Sequence, residues 1–179
     1  MSVVGRVRVI VPTAGGHVRS LGALVRRLQE DGKRVVFVSA DRPFHTLSQS
    51  LRDQGVAVDD VHFVDAVSSL SGSAPAHRPS NATFLPSPTM LEMLAMRIEQ
   101  AALRFGPGAH VVLDSLDTLS LYNGANPVQE FSHYLANRLR LHGIHGDFVV
   151  HDGPTGRQMH DLVLSFTDDR IELPPGDAA

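Results

Sequence analysis

The chain has 179 residues, no cysteine and a formal net charge of −3. That length fits one domain with a full hydrophobic core, and the lack of cysteine excludes disulfides, thiolate chemistry and cysteine-type zinc sites. The small net charge leaves no strong footprint for nucleic acid or an anionic membrane, no apolar run nears the ~20 residues of a spanning helix, and the N-terminal MSVVGRVRVIV lacks the h-region of a signal peptide, so a cytoplasmic location is expected.

Strand and helix alternate from the start. Arg6–Val11 is β-branched and strand-like. After PTAGG, Val18, Leu21, Leu24, Val25 and Leu28 recur at helical spacing, and Gly32 is the stop. Arg34–Ser39 reads as the second strand. Pro43 stands in a first-turn position, Phe44, Leu47 and Leu51 form an apolar stripe, and Gly55 ends it. Val61–Ala66 is a third strand. This alternation predicts a three-layer α/β/α domain over 1–179 with a mostly parallel central sheet.

Ser68–Ala82, rich in Ser, Pro, Ala and Gly, reads as a mobile loop leaving the sheet. Thr83–Leu85 is a short strand candidate. Ser87 is the expected cap of a helix with Pro88 at its first position. Leu91, Leu94, Ala95, Ile98, Ala102 and Phe105 are its buried face, with Met90, Met93 and Met96 as core filler. His110–Leu113 is a buried strand that stops at Asp114, and Ser115 precedes a further helical segment. Asn126-Pro127 reads as the next cap with Gln129 in the capping-box position. Val128, Phe131, Leu135 and Leu139, joined by Tyr134, form that helix's apolar face up to Gly143. Asp147–Val150 is a strand, Gln158–Phe166 is weakly helical, Arg170–Leu173 is a last strand, and PPGDAA is a frayed tail.

A buried strand that ends on a carboxylate is how an open α/β sheet offers a ligand group to its crevice. In nucleotide-hydrolysing folds that carboxylate holds Mg²⁺. Asp114 fits either that role or a plain cap on the next turn.

The segments resemble the RecA/KaiC-like core of the P-loop ATPase superfamily. VVLDSLDTLSLYNG is similar to its Walker B strand and sequel, VVFVSADRPFHTLSQSLRDQGV to its second strand, acidic turn and helix, and NPVQEFSHYLANRLRLHGIHGDFVV to the following helix–strand unit. The nearest likeness is to small KaiC-like proteins whose phosphate loop has decayed. Laid on Val11–Val18, VPTAGGHV, the GxxxxGK[ST] loop keeps its second glycine as Gly16. Val11 replaces the first glycine, His17 the lysine and Val18 the magnesium-binding hydroxyl. The acidic pair after the second strand is reduced to Asp41 beside Arg42. Phosphoryl transfer depends on those electrostatic groups. The resemblance therefore implies a pseudo-ATPase with Asp41 and Asp114 as catalytic remnants and no required cofactor. It would act in signalling as a regulatory or scaffolding module, through a protein partner or self-association.

Other readings remain open at this level. Thr13, Ala14, Gly15, Gly16, His17 and Arg19, with Asp114 and Ser115, could retain weak ATP/Mg or phosphate binding through backbone amides. Arg19 is the cation that a working ATPase would have to use. Gly15-Gly16-His17 also resembles the GGH loop of sugar-nucleotide glycosyltransferases of the MurG-like group. His142, His145, Asp147, His151, Asp152 and His160 cluster in sequence without zinc-protease spacing and read as surface and loop residues, so no metal ligand is expected among them.

Overall fold

The computed structural model describes residues 4–13 and 17–175. Ala14, Gly15 and Gly16 lie outside the described residues, as do the last four of the tail. Seven strands form one sheet: β1 (Val7–Pro12), β2 (Val35–Ser39), β3 (Val61–Asp65), β4 (Ala82–Phe84), β5 (His110–Asp114), β6 (His145–Val149) and β7 (Asp169–Leu173). Their spatial order is β4-β3-β2-β5-β6-β1-β7, and every pairing is parallel. The helices are α1 (His17–Glu30), α2 (Phe44–Asp53), α3 (Leu91–Phe105), α4 (Leu116–Asn123), α5 (Ala125–Leu141) and α6 (Pro154–Val163).

The central strands β2 and β5 are near-continuous apolar runs because both faces are covered. Ile10, Val35, Phe37 and Val112 face Leu21, Val25, Leu47 and Leu51 of α1 and α2. Val9, Val36, Val111 and Leu113 face the other way, against Leu94, Leu119, Leu135 and Met159 of α3 to α6. Each such side chain, fully withdrawn from water, contributes about 1.5–3 kcal/mol. Crossovers heading toward β4 run over the α1/α2 face and those heading back run over the opposite face, as right-handed connections require. This winding brings the C-terminal ends of β1, β5 and β6 side by side.

An ion pair is built into the sheet. Asp147 of β6 is wholly buried, and Arg8 on neighbouring β1 grips it with two bonds, Nε–Oδ1 and Nη2–Oδ2, both 2.7 Å. His110 of β5 stands with its Nε2 3.6 Å from the same carboxylate, and its ring stacks on His145. Burial, chiefly, holds the His110 imidazole down at about 4, with Asp147 pulling the other way.

Several boundaries differ from the sequence reading. Ser87 does not start a helix: its Oγ accepts from Thr89 N in a local turn, and α3 begins at Leu91. Pro43 precedes α2 instead of entering it, and the free N–H of Phe44 is taken by Asp65 Oδ2 from the end of β3. Gly124, at φ +84°, divides α4 from α5, so Asn126-Pro127 lies inside the first turn of α5. Gln129 donates to Leu162 O and closes no capping box. Met90 and Met96 are exposed, as is Tyr134: Met90 precedes the first turn of α3, and Met96 and Tyr134 fall off the buried stripes of α3 and α5. The Ser68–Ala82 excursion is anchored at its start: Ser68 is fully buried and donates to Asp65.

Candidate functional site

Each buried strand delivers its last residue to the same edge of the sheet, and β3 and β5 both end on an aspartate. The two are used differently. Asp65 at the end of β3 accepts from the backbone N–H groups of Phe44, Val67 and Ser68 and from the Ser68 hydroxyl. Its lone pairs are spent on shaping two loops. Asp114 at the end of β5 is as deeply buried, yet its Oδ1 has no hydrogen-bond partner among the described residues. Such an orphaned acceptor is costly unless something else meets it.

Two imidazoles surround that oxygen. His17 opens α1, and its Nε2 lies 3.1 Å from each oxygen of Asp114. His151, two residues beyond β6, places its Nε2 3.7 Å from Asp114 Oδ1. The rings meet edge to face at a centroid distance of 4.1 Å, with His151 Nε2 2.9 Å from His17 Nδ1 and 3.1 Å from His17 Nε2.

Asp117, in the first turn of α4, fixes His151 from behind. Its Oδ1 accepts from the His151 backbone N–H at 3.0 Å and its Oδ2 from the ring Nδ1 at 2.8 Å. The Nδ1–H is thereby committed, and Nε2 is left pointing at Asp114 and His17. Burial works against protonation of His151, but the Asp117 bond and the charges of Asp117, Asp114 and Asp41 outweigh it and raise its pKa. Burial likewise opposes ionisation of Asp117, and the His151 contacts overcome it and lower its pKa. Two imidazoles and a carboxylate thus bring ligand atoms within 4.8 Å of one another, an arrangement able to hold one cation.

The remaining predicted residues are dispersed. Ser115 is fully buried and spent on α4: its Oγ accepts from Thr118 N and donates to Thr118 Oγ1. Asp41 is exposed, 3.7 Å from its neighbour Arg42, and reaches the cluster through its charge alone. Arg19 is exposed on the first turn of α1, and Thr13, also exposed, ties its backbone N–H to Leu173 O. The histidine-rich segment is not a uniform surface patch. His151 belongs to the cluster, Asp147 to the interior, and His142 packs its Nε2 3.3 Å from Glu99 Oε1. Asp152 pairs with Arg157, and His160 leans on Asp161. The sequence reading counted His151 among surface and loop histidines and did not single out Asp117. Their signal was position: a polar residue just beyond a buried strand of a parallel sheet faces the crevice.

A family model described as "Family of unknown function (DUF7504)" matches residues 10–173. Among curated proteins none matches the sequence. Among solved structures, the KaiC-like protein PH0186 of the hyperthermophilic archaeon Pyrococcus horikoshii OT3 is similar, with a TM-score of 0.66 and 14% identity over 96% of this chain and 72% of that one. At that identity the likeness shows the fold, a KaiC-like α/β core. Among the described residues, no helix is long and apolar enough to cross a membrane.

Proposed function

The chain belongs to the DUF7504 family, and we propose that this member is a non-hydrolysing RecA/KaiC-like module, a single domain that regulates or scaffolds through protein contacts. One observation carries the reading. His17, which aligns with the phosphate-binding lysine, faces inward and sits 3.1 Å from Asp114, which aligns with the magnesium carboxylate. In a working phosphoryl-transfer site the triphosphate and its Mg²⁺ lie between those two positions. Here the two side chains meet directly, and the His151 ring lies against both.

The donor set also fits a magnesium nucleotide poorly. Mg²⁺ asks for near-octahedral oxygen ligands, whereas Asp114 is flanked by two imidazoles, Val18 has no hydroxyl and the Ser115 hydroxyl is engaged in capping. The protein-contact half of the proposal is supported by a groove of about 680 Å³ between α3 and α5. Exposed Met96 and Tyr134 stand beside Ala95 and Phe131 there, and Glu92, Glu99 and Glu130 line it. An apolar segment of another protein flanked by basic residues matches that surface.

The test is steady-state ATP and GTP turnover with Mg²⁺, parent beside Asp114→Ala, with a thermal-shift panel of ATP, GTP and UDP-sugars alongside. The expected result is equal, background turnover in both proteins. Magnesium-dependent turnover that disappears in Asp114→Ala would overturn the reading, and stabilisation by UDP-sugars alone would redirect it to sugar-nucleotide chemistry.

A further inference from the structure

We propose that His17, Asp114 and His151 form a binding site for one divalent transition metal ion of zinc type, with Asp117 as its orienting carboxylate. The atoms concerned are His17 Nε2, His151 Nε2 and Asp114 Oδ1. Their separations are 3.1 Å between the two nitrogens, 3.1 Å from His17 to the oxygen and 3.7 Å from His151 to it. A circle through three points so spaced has a radius of about 1.9 Å, the base of a tetrahedron with bonds of about 2.0–2.1 Å, which is the zinc–imidazole and zinc–carboxylate range. The ligands thus stand where a tetrahedral ion needs them, with no fourth protein ligand among the described residues.

A second observation points the same way. Asp114 Oδ1 is buried, has no hydrogen-bond partner among the described residues, and lies 3.1 Å from His17 Nε2 and 3.7 Å from His151 Nε2. A cation bound there satisfies it. The Asp117–His151 contact is the outer part of a carboxylate–histidine–metal arrangement, which fixes the ring tautomer and raises the basicity of the ligating nitrogen. Two imidazoles and one carboxylate favour a borderline ion such as Zn²⁺ over Mg²⁺ or Ca²⁺, which prefer all-oxygen shells. The carboxylate of Asp114 then serves a metal different from the one its place in the fold suggests.

Metal occupancy and nucleotide turnover are read by separate assays, so this proposal can fail while the previous one stands, and the reverse. The protein, stripped with chelator and returned to metal-free buffer at pH 7.5, is titrated with Zn²⁺ against a chromophoric competitor. Bound metal is then counted after desalting, and Co²⁺ is substituted for its absorption spectrum. One equivalent per chain, held tighter than about 1 µM, is expected, with the intense visible bands of four-coordinate cobalt. Asp114→Asn and His151→Gln, shown folded by circular dichroism, should each lose the site, and Asp117→Asn should weaken it about 10- to 100-fold. His142→Gln, outside the cluster, should leave it intact. Binding of less than about a tenth of an equivalent, binding undiminished in Asp114→Asn and His151→Gln, or a weak six-coordinate cobalt spectrum would each overturn the proposal. If the single variants do not fold, the parent's stoichiometry and cobalt spectrum decide alone.

Discussion

Replacing Arg8 with Met tests how the strands that carry the histidines are held together. Arg8 and Asp147 face each other in the register of β1 and β6, whose C-terminal ends lead to His17 and His151. The Asp147 side chain is 0% exposed and that of Arg8 is 26% exposed, with both bonds at 2.7 Å. Truncating one partner of a buried pair leaves an unpaired charge and typically costs about 3–5 kcal/mol. Two features place Arg8→Met at the lower end. Arg8 keeps partial access to water, and His110, 3.6 Å from Asp147, can take up a proton in compensation. A loss of about 3 kcal/mol should lower the Tm by roughly 6–12 °C for a chain of this size. Converting both partners together, Arg8→Met with Asp147→Leu, removes the charge as well as its counter-charge and should return stability to within about 1 kcal/mol of the parent. Urea unfolding followed by circular dichroism measures the parent, both single variants and the double. A cost below about 1 kcal/mol for Arg8→Met, or a double variant as damaged as the sum of its singles, would refute the account.

His110 makes the same region acid-sensitive. Its folded pKa, about 4, lies below its ordinary 6.5, so the unfolded chain binds a proton first. The stability from keeping this imidazole neutral is complete above pH 6.5, declines as the pH falls, and is gone below about 4. The span amounts to no more than about 3 kcal/mol. Urea midpoints at pH 7, 5.5 and 4.5 should fall more steeply in the parent than in His110→Gln, and parallel lines would contradict this. Gly156 in α6 touches the site from beneath, because a Cβ there would lie 1.7 Å from the carbonyl oxygen of His151. Gly156→Ala should cost about 1–3 kcal/mol by overpacking and shift the His151 ring resonances in NMR, whereas an unchanged melt and spectrum would show that the turn yields freely.

The fold was legible where one local signal dominated. The β-branched runs of β1, β2, β3 and β5 announce buried strands because both of their faces are covered, with only Arg8 in β1 and His62 in β3 breaking the apolar run. Helix starts were less legible because their caps come from elsewhere. Phe44 N is satisfied by Asp65 from another strand, so Pro43 had no local partner to reveal it. Ser87-Pro88 carries every mark of a helix start, yet the serine closes a turn with Thr89 and the helix waits for Leu91. The exposed methionines have a similar cause. Met90 and Met96 flank the apolar stripe in sequence, but Leu94, Ala95 and Ile98 already fill the space beneath α3.

The candidate site was half legible, and the missing half follows from the topology. His17 and Asp114 stand out because each adjoins a recognisable strand end, but nothing local to His151 says that it will meet a residue 134 positions earlier. That meeting is set by strand order: β6 inserts between β5 and β1, so the residue following β6 must reach the same crevice as Asp114 and His17. An isolated histidine after FVV therefore has meaning only once the neighbours of its strand are known. Asp117 adds a second requirement, since its carboxylate at the first turn of α4 could equally have served the helix dipole. It turns instead to the His151 backbone and ring, which orients one imidazole nitrogen toward a carboxylate oxygen that the protein leaves unpaired. A carboxylate fully satisfied at the end of β3 and another left open at the end of β5, within one sheet, mark the difference between a residue that shapes a loop and one positioned to take a cation.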